Sequence, residues 1–152
     1  MTARSSLIDT FASEITSFGT MTVYLPTALL LERLIGGIWM SVLGSLFLTE
    51  ILCGAFKIIH PTTRPIPRSG KGVYGRYDAG SFPSIHTARA AAFAVSFSLV
   101  HPDMLLSWLS AAIVLGVAWS RIRLGHHHLH DVIGGAVAGG VIAFVTASFL
   151  FR

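Results

Sequence analysis

Long apolar runs alternate with short polar islands along this chain, the pattern of helices that cross a bilayer joined by loops that do not. Residues 5–17 (SSLIDTFASEITS) place Leu7, Ile8, Phe11 and Ile15 on one helical face, with Ser, Asp and Glu opposite. That suits a helix lying in the membrane interface, and equally an amphipathic helix packed on a bundle. TMTVYLPTALLLERLI (20–35) is a short span containing Pro26 and closing on Glu32 and Arg33, and Gly36-Gly37 predicts a turn. IWMSVLGSLFLTEILCGAFKII (38–59) reaches the roughly 20 residues that a crossing needs. The marginal 20–35 is expected to run with little tilt or partly in the interface. A polar loop rich in Pro, Gly, Lys and Arg fills 60–83, then SIHTARAAAFAVSFSLV (84–100) is a third span. HPD (101–103) makes a tight turn into a fourth span over 104–120, and VIGGAVAGGVIAFVTASFLF (132–151) is the fifth. The small residues of GGAVAGG predict close packing of that last helix on its neighbours. The expected fold is therefore all-α: an integral-membrane helical bundle of about five transmembrane helices plus an N-terminal interfacial helix, as one domain over 1–152.

This topology has a consequence for the polar islands. The second span ends at loop 60–83, the third leaves from it, and the fourth returns to the same side. Loop 60–83 and the stretch SRIRLGHHHLHD (120–131) are thus predicted to share one membrane face, where residues distant in sequence converge.

Composition agrees with this reading. The chain is 53% hydrophobic and only 12% charged, against roughly 25% charged in soluble domains, and its mean hydropathy is +0.69. The net charge of +4 sits in loops between apolar spans, which points to anionic lipid or a phosphorylated headgroup rather than nucleic acid. The single cysteine, Cys53, lies within an apolar run and forms no disulfide framework. Asp9 and Glu14 interrupt the first apolar cluster, which lacks the shape of a cleavable signal peptide.

Three residue sets gather on the shared face: Lys57 with Arg64-Pro65, Pro83-Ser84-Ile85-His86, and Ser120-Arg121 with His127 and Asp131. A phosphoryl group in transfer spreads negative charge over its oxygens, so catalysis is mostly positioning and electrostatic stabilisation. Lys57, Arg64 and Arg121 supply three cations, two of them guanidiniums whose forked donors match phosphate oxygens. Ser84 stands at an N-cap position, where its hydroxyl and the free amides of the helix start, Ile85 among them, can bind phosphate. His127 and Asp131 are four apart and share a helical face if the last helix begins near Gly125. Asp131 can then hold one imidazole nitrogen as a donor, leaving the other nitrogen with a free lone pair. Three cations of the protein can neutralise a phosphate with no metal ion, so no metal and no cofactor is expected.

In spacing terms the sets read K-x6-R-P, P-S-x-H and S-R-x5-H-x3-D, ten specified positions in order. This resembles the type 2 phosphatidic acid phosphatases, the PAP2 superfamily, over roughly residues 10–150. The resemblance implies that His127 is the nucleophile and forms a phosphohistidine, and that His86 is the general acid at the leaving oxygen. It implies a phosphatase acting on a phosphomonoester or diphosphate of a membrane lipid, such as phosphatidic acid, phosphatidylglycerol phosphate or a polyprenyl diphosphate. The family usually has glycine where this chain has Ile85. At the first turn of a helix that change is tolerated, and its effect falls on pocket width and substrate range.

Other residues carry weaker signals. Glu50 is ionisable within a span, seven residues before Lys57, and is read as a substrate contact or as the partner of a Ser or Thr on another helix. Arg89, one turn after His86, is placed to reach a second headgroup phosphate or to pair with Asp78. Ser120 is read as support for Arg121. His126 and His130 are four apart, at metal-ligand spacing, but no cysteine or second carboxylate joins them. His126, His128 and His130 are instead read as polar residues at the entrance, and His60 and His101 as ordinary loop residues. Two rival functions remain: a lipid phosphotransferase using the same site, and a membrane metal- or haem-binding protein, which leaves Lys57, Arg64 and Arg121 unexplained. Outside the motif cations, Arg4, Arg68, Lys71, Arg76 and Arg123 fall on the motif side and Arg33 and Arg152 on the other, which favours a cytoplasmic site, most simply in the plasma (inner) membrane. The oligomeric state is not legible.

Overall fold

A computed structural model describes residues 2–37, 39–69 and 71–150, and among them every regular element is a helix. In chain order these are α1 (Thr2–Ser17), α2 (Met21–Ile35), α3 (Trp39–Ile59), α4 (Gly72–Ala79), α5 (Ile85–Val100), α6 (Met104–Arg123) and α7 (Leu129–Leu150). Of the residues weighed for orientation, Arg152 lies outside the described set. Gly36 and Gly37 turn the chain between α2 and α3 with φ of 75° and 71°, a region open to glycine and strained for other residues.

Among the described residues three helices are long and apolar enough to cross a bilayer: Met40–Ile59, Met104–Arg123 and Leu129–Phe149. The apolar α5 has 16 residues and α2, carrying Pro26, has 15. At 1.5 Å per residue each reaches only about 24 Å, short of a hydrocarbon core about 30 Å thick. Outward-facing Leu105, Trp108, Leu115 and Val137 are 60% exposed or more, surface that lipid covers. The protein is an integral membrane protein.

The structure departs from the sequence reading in three places. Loop 60–83 contains the helix α4, whose sequence GVYGRYDA has two glycines and no apolar stripe to announce it. The fourth span runs on to Arg123, and α7 begins at Leu129, so residues 124–128 form a loop and not the first turn of a helix.

The two motif-bearing helices α5 and α7 touch backbone to backbone. A Cβ on Gly135 would stand 3.2 Å from the Ser84 nitrogen, and one on Gly139 would stand 2.7 Å from the Ala88 carbonyl carbon. The GGAVAGG run thus lets the start of α5 lie directly on α7. Between α3 and α5 the buried Ser45 and Ser96 hydroxyls bond at 2.8 Å. Helix α1 lies across the last turns of α6: Phe11 meets Trp119 with ring centroids 6.4 Å apart, Asp9 pairs with Arg123 at 3.0 Å, and Thr16 bonds Ser120 at 3.0 Å. Ala12 is wholly buried there, while Leu7 and Phe11 stay 71% and 61% exposed. The helix packs on α6 through Ala12, Thr16 and the half-buried Ile15, and keeps Leu7 and much of Phe11 outward.

Candidate active site

Five backbone hydrogen bonds shape the polar islands and draw them together. The Ser84 amide donates to the Asp131 carbonyl at 2.9 Å, joining the starts of α5 and α7. The Ile66 amide donates to the Gly125 carbonyl at 3.1 Å, and the Ser81 amide to the Thr62 carbonyl at 3.0 Å. Gly125, at φ 65°, makes the turn out of α6 that lets the histidine loop fold back. After it, the amides of His126 and His127 both donate to the Arg121 carbonyl, at 3.0 and 3.2 Å.

These contacts enclose a polar cavity of about 210 Å³ walled by Lys57, Arg64, Ile85, His86, Arg89, Arg121 and His127 among others. Larger cavities of about 460 and 600 Å³ lie between α5 and α6 and beside α3 and α7, but apolar side chains line them and they hold no chemistry. Five cations face the polar cavity, Lys57, Arg64, Arg68, Arg89 and Arg121, against the single carboxylate of Asp78. Lys57 is only 1% exposed, with its ammonium 5.6 Å from the centre of the Tyr77 ring. Arg64 donates to the His126 carbonyl at 3.4 Å, and Arg121 to the Thr16 hydroxyl at 3.1 Å. The Nε atoms of both guanidiniums are buried without a hydrogen-bond partner among the described residues. Burial, and after it the neighbouring Arg68, lower the Arg64 pKa. Buried cations left this way favour an anion.

His127 is 1% exposed. Burial above all, then the charges of Lys57, Arg121 and Arg64, push its imidazole far below the ordinary value, so it is neutral and keeps a lone pair. Its Nδ1 is 3.7 Å from Asp131 Oδ2, beyond hydrogen-bonding reach. Ser81 closes the gap: its hydroxyl donates to Asp131 Oδ2 at 2.5 Å and lies 3.4 Å from His127 Nδ1. The His128 amide donates to the same carboxylate oxygen at 2.7 Å. Asp131 therefore reaches the imidazole through a serine, and the pair meets across a loop–helix junction instead of along one helical face. Nε2 remains for the cavity.

The other expected residues divide. Ile85 opens α5 with ordinary backbone, since no residue other than glycine has positive φ among those described, and its side chain packs on Cys53 and Ala88. Ser84 occupies the N-cap position without a side-chain cap bond, and its hydroxyl, fully buried, accepts from Thr87 at 3.1 Å. Among the described residues Glu50 has neither a Ser nor a Thr partner. It accepts from the Tyr77 hydroxyl at 2.8 Å and from Arg89 at 2.7 and 2.5 Å. Arg89 thus pairs with Glu50, and Asp78 pairs with Arg68 at 3.1 Å. Ser120 bonds Thr16 beside Arg121, as support. His126 is set apart from His130: its Nε2 is 3.4 Å from Arg68, and burial followed by Arg121 lowers its pKa to about 4. Among the described residues, the histidine and carboxylate donors gathered closely enough to share an ion are those of His128, His130 and Asp131. Sequence reasoning missed Ser81, Tyr77 and Thr16, because no periodicity or charge marks them and only the fold brings them to the motif residues.

A family model described as the PAP2 superfamily matches residues 38–152. A segment making up 44% of this chain is 37% identical to a lipid A 1-phosphatase of Rhizobium etli and covers 28% of that protein. Another, 45% of the chain, is 35% identical to the undecaprenyl-diphosphatase BcrC of Bacillus subtilis and covers 35% of it. The matches thus span about a third or less of those curated relatives. Among solved structures, Aquifex aeolicus LpxE superposes with a TM-score of 0.80 at 22% identity, over 93% of this chain and 86% of that one. A transmembrane PAP2 type phosphatidylglycerolphosphate phosphatase from Bacillus subtilis gives 0.76 at 23% identity, over 95% of this chain and 77% of that one. At these identities the superpositions establish the shared fold.

Proposed function

The chain belongs to the PAP2 superfamily, and on that footing we propose that it is a lipid phosphate phosphatase that works through His127 without a metal. The carrying observation is the cavity itself, where buried cations surround a buried, neutral histidine. Lys57, Arg64 and Arg121 bind the phosphoryl oxygens and stabilise the charge that builds on them in the transition state. Ser81 and Asp131 hold the proton on His127 Nδ1, so that Nε2 attacks phosphorus. As the N–P bond forms, the P–O bond to the lipid breaks and His86, held protonated by the bound phosphate anion against the surrounding cations, protonates the departing oxygen. Water then attacks the phosphohistidine, His86 takes its proton back, and inorganic phosphate leaves. Glu50 and Tyr77 hold Arg89 at the cavity wall, where it meets the outer phosphate of a diphosphate or a neighbouring headgroup oxygen.

The substrate is an amphiphile whose tails stay in the bilayer while its headgroup enters from the face that carries loop 60–83. Relatives with matching segments are a lipid A 1-phosphatase and an undecaprenyl-diphosphatase; phosphatidic acid, phosphatidylglycerol phosphate and polyprenyl diphosphate are the candidates here. By the excess of Arg and Lys on the motif side, that face is cytoplasmic, in the plasma (inner) membrane. The test is phosphate release by detergent-solubilised protein from a panel of these lipids. Release from one class, and loss of it in Arg121→Ala, is expected. Phosphate recovered on a second lipid would make the protein a phosphotransferase, and no transfer from any lipid would contradict the reading.

A further inference from the structure

We propose that His128, His130 and Asp131 form a zinc-class metal site on the outer side of the catalytic carboxylate, and that an ion bound there slows the reaction. The inhibitory part rests on the function proposed above; the binding part does not. One donor atom from each residue lies within 4.8 Å of the other two. His130 Nε2 is 3.2 Å from Asp131 Oδ1, and His128 Nδ1 is 3.4 Å from Asp131 Oδ2. Two ligands each about 2.0–2.1 Å from a tetrahedral ion are about 3.3–3.4 Å apart, so the His130–Oδ1 separation already suits one ion, and the exposed His128 ring completes the set by turning from Oδ2 toward Oδ1. Asp131 is fully buried, and its Oδ1 has no hydrogen-bond partner among the described residues. Oδ2, in contrast, takes bonds from Ser81 and the His128 amide. One carboxylate oxygen thus serves the catalytic side and the other is free for an ion.

Access comes from the two histidines. Their side chains are 43% and 69% exposed, and their rings lie nearly parallel with centroids 5.3 Å apart. An imidazole–imidazole–carboxylate set suits Zn²⁺ and not Mg²⁺ or Ca²⁺, which prefer oxygen ligands throughout. The fourth position falls to water. His126 stays out of the set, because its Nε2 faces Arg68.

The inhibitory effect follows from charge. Asp131 acts on His127 as an anion behind Ser81. An ion on Oδ1 withdraws that negative charge and adds positive charge beside the nucleophile, and both changes make Nε2 less nucleophilic. Free zinc at the membrane surface would then throttle an enzyme that needs no metal.

Tag-free protein, stripped with EDTA and dialysed, is titrated calorimetrically with Zn²⁺ alone, beside the double variant His128→Gln/His130→Gln. Neither histidine belongs to the machinery that binds or attacks phosphate. One saturable site per chain is expected, weakened by about tenfold or more in the variant. Zn²⁺ should slow phosphate release by the wild type and leave the variant, whose metal-free rate is unchanged, largely unaffected. Absent or identical Zn²⁺ binding in the two proteins overturns the site, and binding without slowing overturns the inhibition. If neither protein releases phosphate from any lipid, the proposed function fails, and the titration still decides the site.

Discussion

Ser81 shows what a single side chain adds to the motif residues. The carboxylate and imidazole are too far apart to bond directly at 3.7 Å, and the serine hydroxyl links them. Ser81→Ala removes both the acceptor for Nδ1–H and a donor to Asp131. Losing a charge-assisted hydrogen bond at this point should lower kcat by about 10- to 100-fold. KM should change little, since the serine touches no phosphate ligand; steady-state kinetics on one lipid phosphate checks the split, and an unchanged kcat would remove Ser81 from the account. The motif residues themselves were legible from spacing, because phosphate chemistry demands cations and histidines that are otherwise expensive near a membrane. Ser81 was not legible, since a serine in AGSFPSIH carries no such demand. The partner of Arg89 was not legible for a related reason: the sequence offered it Asp78 or a headgroup phosphate, and only the packing of α3 on α5 brings it to Glu50.

Among the elements, α5 and α7 hold the site in register. Gly135 and Gly139 let the Ser84 and Ala88 backbone approach α7 with no side chain between. Gly139→Leu should force the helices apart, destabilise the protein by about 1–3 kcal/mol or more, and displace His86 relative to His127. A lowered thermal midpoint in detergent, with activity lost in parallel, is the expected reading; wild-type values for both would contradict the packing. The apolar runs foretold α3, α6 and α7 well, because burial in lipid leaves an unmistakable run of hydrophobic residues. Helix α4 left no such mark: it covers the site through Tyr74 and Tyr77 and is held by tertiary contacts, not by an amphipathic stripe. The start of α7 was misplaced because LGHHHL reads as polar helix, whereas the turn at Gly125 spends those residues on a loop.

For the molecule as a whole, the paths of the helices put every motif on one face. The cationic loops of that face should lie in the cytoplasm. With Cys53 replaced by serine, Lys71→Cys offers a single exposed thiol in loop 60–83. A membrane-impermeant maleimide should leave it unlabelled in intact cells and label it after permeabilisation; labelling from outside would reverse the orientation. The net charge of +4 and the cation-walled cavity suit an anionic headgroup, but the central claim concerns one covalent bond. Its most direct test is to mix purified protein with lipid phosphate in excess EDTA, quench in alkali within the first turnover, and locate phosphate by peptide mass. A phosphoryl group on the peptide at His127, absent from His127→Ala, is the expected result. Phosphate release that proceeds with no adduct there, or that EDTA abolishes, would contradict the mechanism.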